Sequence, residues 1–295
     1  LNIYRKNNMT TINQLYSRLI SAMGVEDLEI PMTAVKFYKK EDEIPGPVKE
    51  NQPTISLTSC QAAKQASLGD AALLTTDNIG CVAAAITFGL VDKDQPEPLG
   101  DSRVYTDIMR DQSGLGDDFK PPSPKDFTEG NVYACKDSGN MDFALFGKED
   151  VGRFKDVETA KKAMKDMMAI QPPTTKGVFL YSRDFGDIDI IPDVIVLSVT
   201  SAELTRIIQA YQFNTGERVT ASMGGLRVVN SDLIVRPYLT GKINVAPYCL
   251  GARLIAEFEA DRMGIGMPFS IFEELVKGME DSKTGFPFQL YPGVA

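Results

Sequence analysis

The run Val194-Ile-Val-Leu-Ser-Val199 constrains the fold more than any other stretch of this chain. It is almost continuously apolar, so neither of its faces can look to water, and it reads as a central strand covered on both sides. Thr200-Ser201 follow it directly, and an apolar stripe at Leu204, Ile207, Ile208 and Tyr211 then describes a helix through Phe213, with Ser201 as its cap. A doubly covered strand running into a helix requires a layered α/β architecture.

The remaining signals alternate in the same way. Ile12, Leu15, Tyr16, Leu19, Ile20 and Met23 predict a helix ended by Gly24. Ala34–Tyr38 reads as a strand, 60–68 as a helix, Ala71–Thr75 as a strand, and 80–90 as a helix capped from Thr76-Asp77-Asn78. Asp156 caps a helix to about Ala169, whose methionines fill core, and Gly177–Ser182 is a strand. Further strands are expected at Arg218–Ser222, Leu226–Val229 and Ile243–Ala246, and a last helix at Phe269–Gly278. The expected class is α/β, or α+β, with one mixed sheet and helices packed on it. The expected unit is a single domain over 10–290; residues 1–8 precede the first methionine and are set aside. Residues 91–150, rich in Pro, Asp and Gly, read as an insertion or surface excursion. Residues 58–90 and 204–235 echo one another faintly, as a weak internal duplication would.

Composition narrows the chemistry. The net charge of −9 leaves no basic field for nucleic acid, while a small anionic molecule in a local pocket stays open. No apolar run is long enough for a membrane span, and no export signal is present, so a reducing, cytoplasmic compartment is expected. The 295 residues include no histidine, which removes Ser-His-Asp and Cys-His catalysis and every His-ligated metal site within one chain. The four cysteines contain no CxxC pair. No GxGxxG follows a strand and no Walker A sequence occurs; Gly224-Gly225 and Met263-Gly-Ile-Gly-Met267 read as turns.

Several segments in this order resemble a known family. They are Thr33-Ala-Val-Lys-Phe37, Ser59-Cys-Gln-Ala-Ala63, Ile79-Gly-Cys-Val-Ala-Ala84, Pro192-Asp-Val-Ile-Val196, Ile208-Gln-Ala-Tyr211, Thr215-Gly-Glu-Arg218, Pro237-Tyr-Leu-Thr-Gly241 and Cys249-Leu-Gly-Ala-Arg253. The chain is similar, over roughly 10–90 and 150–280, to the prokaryotic domain-of-unknown-function family numbered 169. The resemblance implies a shared fold and a shared cysteine site, and no activity. The chain departs from the family's frequent Cys-Pro-Gly at Cys81-Val-Ala, and its 91–150 segment, which carries Cys135, is longer.

Two classes of function stay open. In the first, Cys60, Cys81 and Cys249, with Cys135 or an external group as fourth ligand, hold an iron–sulfur cluster or soft metal in a redox or cofactor-handling role. Cys60 and Cys81 open expected helices, whose N–H groups favour a thiolate, and Cys249 stands in a Pro/Gly turn. The competing reading of each is a small apolar core residue. In the second, the chain is a non-catalytic module for a small anionic metabolite. Arg218, Arg236 and Arg253, each beside Gly or Pro, would recognise it, together with helix N–H groups at Ser201. The competing readings are surface ion pairs and a plain helix cap. The sequence leaves enzyme or non-enzyme undecided, and a homo-oligomer is compatible with both classes.

Overall fold

The computed structural model describes residues 11–99, 121–133, 152–185 and 190–282. Six strands form one sheet: β1 (Thr33–Lys39), β2 (Ala72–Leu74), β3 (Thr175–Tyr181), β4 (Val194–Val199), β5 (Asn244–Pro247) and β6 (Met263–Pro268). Their order is β2-β3-β1-β4-β6-β5, and every pairing is antiparallel. A parallel contact occurs as the isolated bridge between Leu57 and Ile79. With helices on both faces, this is the α+β form of the expected class.

Strand β4 lies inside the sheet, between β1 and β6, and is buried at all six positions. Ile195, Leu197 and Val199 enter one core and Val194 and Val196 the other, as strand alternation requires. On the first face pack three long helices: α1 (Ile12–Met23), α7 (Ser201–Thr215) and α10 (Phe269–Asp281). Capping boxes start α1 at Thr11 and α7 at Thr200, and left-handed glycines end them at Gly24 and Gly216. The α7 cap is therefore Thr200; Ser201 is the first helical residue and is exposed.

The other face is assembled from shorter pieces. It carries α3 (Ser59–Ser67), α4 (Val82–Thr87), α5 (Pro124–Thr128), α6 (Val157–Lys165), α8 (Arg236–Thr240) and α9 (Leu250–Ile255), whereas the single turn α2 (Gly46–Lys49) buries Val48 in the first core. Between α7 and α8 runs a π-helix over Val228–Val235, buried at all eight positions. The strands expected at 218–222 and 226–229 do not form. Ser222 bonds instead to a side chain: its N–H donates to Asn244 Oδ1 at 2.8 Å and its carbonyl accepts from Asn244 Nδ2 at 3.0 Å. The apolar run from Val228 continues into the π-helix, since a short buried run carries no period that separates strand from helix. The two segments that echo in sequence thus differ here: 58–90 gives α3, β2 and α4, whereas 204–235 gives α7, an extended connection and the π-helix.

The π-helix explains Met263-Gly-Ile-Gly-Met267, which is a strand and not a turn. A Cβ on Gly266 would come within 1.8 Å of the Leu233 carbonyl oxygen, and one on Gly264 within 2.1 Å of a Leu233 methyl. Glycine lets the π-helix backbone lie directly on β6. Of the 91–150 stretch, residues 100–120 and 134–150 lie outside the described residues, Cys135 among them; Phe127, Val132 and Tyr133 are buried in the second core. No helix among the described residues is long and apolar enough to cross a membrane.

Candidate functional site

Cys60, Cys81 and Cys249 all stand at helix starts on the π-helix face. Cys60 is the second residue of α3, behind a Thr58–Gln61 capping box. Cys81 is the N-cap of α4 and Cys249 the N-cap of α9, and neither uses its side chain to cap. Asp77 and Asn78 therefore do not cap α4. Asn78 instead pins its own turn, accepting from the Thr75 N–H at 2.8 Å and donating to the Leu73 carbonyl at 2.9 Å.

Backbone pairing brings the first two cysteines side by side. Leu57 N–H donates to the Asn78 carbonyl at 3.0 Å, and Gly80 N–H to the Leu57 carbonyl at 2.8 Å. The two chains run parallel there, and each turns into a helix within three residues. Cys249 joins them through α9, which packs on α3. Cys81 and Cys249 belong to the second core, and Cys60, half-buried, packs against it. None of the three is in a disulfide.

The electrostatics at Cys60 favour its thiol form. Burial, and then the neighbouring Cys249 and Cys81, push the Cys60 pKa well above its ordinary value; a bond from the Ser59 hydroxyl opposes them more weakly. The helix N-terminus alone does not win against desolvation. Ser59 Oγ also accepts from Asn230 Nδ2 of the π-helix at 3.3 Å, and the buried Oδ1 of Asn230 has no partner. Two tyrosines border the group. Burial raises the pKa of Tyr248, which lies close enough to Cys60 to feel it, and that of Tyr133, which feels Cys81. As they stand, no three Cys, Asp or Glu side chains among the described residues are arranged to hold a metal ion.

The arginines singled out in the sequence have different surroundings. Arg253 spends all three kinds of nitrogen on carbonyls: Nε on Tyr248 at 3.2 Å, Nη2 on Arg262 at 3.3 Å and Nη1 on Glu259. It clamps the loop between α9 and β6. Arg236 Nη2 donates to the Asp166 carbonyl at 3.3 Å, while its buried Nε has no partner. Arg218 is exposed in the connection after α7. The arginine that sequence reasoning missed is Arg227, buried at the head of the π-helix with a left-handed backbone, φ 56°. Its signal was a lone cation between Gly224-Gly225-Leu226 and an apolar run.

The fold is that of an α+β protein with Cys60, Cys81 and Cys249 at the starts of three helices on one face of the sheet. Residues 25–278 match domain-of-unknown-function family 169, described as an uncharacterised ArCR, and the chain belongs to that family. It is also 22% identical over 272 residues to the uncharacterised MJ0308 protein of Methanocaldococcus jannaschii, covering 91% of this chain and 95% of that one. No solved structure matches.

Proposed function

We propose that this chain is a thiol-based soft-metal or iron–sulfur protein with a redox or cofactor-handling role, in which Cys60, Cys81 and Cys249 are the protein ligands. The observation that carries this reading is the meeting of three separate helix starts, each bearing a cysteine, in one apolar cluster. The donor chemistry fits a thiophilic ion: sulfur ligands, no histidine in the chain and helix N–H groups to stabilise negative charge. A bound cation would reverse the desolvation cost that now keeps Cys60 protonated, so binding would release protons and strengthen as pH rises.

The test is metal and cluster loading. Anaerobic reconstitution with iron and sulfide should give a broad visible absorbance, and Co(II) titration a thiolate charge-transfer band. Each of Cys60→Ser, Cys81→Ser and Cys249→Ser should lose most of both signals. Equal, near-zero loading of wild type and variants would reduce the cysteines to core packing.

A further inference from the structure

A cleft of about 470 Å³ opens between α4, α5 and α6, within the size range of small-molecule pockets. None of the three cysteines lines it. Ile86, Met164 and Met167 supply apolar wall, and Lys93, Lys161, Lys165 and Arg227 supply positive charge. Two carboxylates also line it, and each already faces a lysine. Asp94 takes Lys93 at 2.9 Å, and Glu129 stands 3.8 Å from Lys125. Lys161 and Lys165 project from one face of α6 and meet no carboxylate among the described residues.

Arg227 is the unusual member. It is 93% buried, from a relative exposure of 7%. Nε donates to the Tyr133 hydroxyl at 3.0 Å and Nη2 to the Phe127 carbonyl at 3.3 Å, and the guanidinium carbon lies 5.2 Å from each of those two rings. All these partners are neutral, and no carboxylate among the described residues balances the charge. A buried cation without an anion is costly, and a non-glycine residue held in the left-handed region adds strain of the kind that gathers at binding sites. Two aromatic rings and a carbonyl hold the fork in one orientation, and the residue lines the cleft.

We propose that this cleft binds a small organic anion, its carboxylate or phosphate oxygens on Arg227 with Lys161 and Lys165 at the rim, and its apolar body against Met164 and Met167. Tyr133, which accepts from Arg227, also feels Cys81.

The anionic dye 1-anilinonaphthalene-8-sulfonate carries both features and serves as probe. Wild type should bind it saturably, and inorganic phosphate or succinate should displace it; which of the two competes assigns the oxygen chemistry. Arg227→Asn keeps a residue that tolerates left-handed backbone and removes the charge, and should weaken binding about tenfold or more. Lys161→Gln/Lys165→Gln changes only exposed positions and should weaken binding about threefold at low salt, and less at high salt. Circular dichroism checks folding; if R227N does not fold, the lysine variant decides. Unchanged dye affinity in every folded variant, or no displacement by either anion, would overturn the site. Metal loading of the lysine variant should match wild type, so failure here and failure of the thiol reading are told apart.

Discussion

The two faces of the sheet are covered by different physics. On one face, α1, α7 and α10 are 12, 15 and 13 residues long and pack chiefly by apolar stripes. On the other, α3, α4 and α9 are 9, 6 and 6 residues long, and the central element is a π-helix with no apolar side distinguishable from a polar one. Long helices with their own caps could be rearranged without losing their identity. Short ones exist only because neighbours hold them. The second face therefore fixes helix ends in place, and it is where the cysteines, Asn230 and Arg227 are found.

The largest effect should come from the seam between the π-helix and β6. In Gly266→Ala the new methyl would meet the Leu233 carbonyl at 1.8 Å, with backbone on both sides and no flexible side chain to yield. A loss of about 3 kcal/mol or more is expected in urea unfolding. A variant within about 0.5 kcal/mol of wild type would mean that the π-helix does not lie on β6 as described.

A counterpart on the first face is Arg206 of α7, buried to 2% exposure. It donates to Ser282 Oγ at 2.8 Å and to the Met279 and Ser282 carbonyls at 2.9 Å, tying α7 to the end of α10. Arg206→Leu should cost about 2 kcal/mol by leaving those acceptors buried and unpaired, while metal loading at the thiols stays intact. Loss of loading in R206L would break the independence of the two faces.

A smaller effect locates the α7 cap. Thr200 Oγ1 accepts from the Glu203 N–H at 3.3 Å, and Glu203 Oε2 accepts from the Thr200 N–H at 2.6 Å. Thr200→Ala should cost about 1 kcal/mol, whereas Ser201→Ala, at an exposed helical position, should be near neutral. The reverse ranking would restore Ser201 as the cap.

The same division sets what the sequence could tell. Periodic stripes and apolar alternation are local, so α1, α7, α10 and β4 are legible to within a few residues. The helices expected from 60 and from 80 begin at Ser59 and Val82, so their starts were legible to within two residues. The π-helix was not: its first two residues, Val228 and Val229, read as the end of a strand, and the glycines that admit it lie about thirty residues on, in β6. Arg206 was illegible for a related reason, since a charge inside an apolar stripe looks like surface until its acceptors on α10 are known. Arg227 stood between a glycine pair and an apolar run, but only the tertiary arrangement shows that no carboxylate accompanies it.

The smallest effect near neutral pH concerns Cys60, and it tests whether burial keeps that thiol protonated. Burial beside Cys249 and Cys81 raises the Cys60 pKa above its ordinary value of 9.0. The folded protein therefore holds this proton more tightly than the unfolded chain does. By linkage, the associated stability is fully present below the unfolded pKa and is lost as pH rises from about 9 through the folded value. Buried tyrosines, Tyr16 and Tyr181 among them, are shifted up as well, so wild type alone would not isolate the thiol. The informative quantity is a difference: metal-free wild type should lose thermal stability between pH 8 and pH 10 more steeply than metal-free Cys60→Ala. The wild-type slope should flatten once a thiophilic ion is bound, because the thiolate is then the stable form on both sides of that range. Identical slopes for wild type and C60A would show that the thiol titrates as it does in water. The apolar pocket around Cys60 would then be open to solvent, and the case for a shared thiol site would lose its electrostatic half.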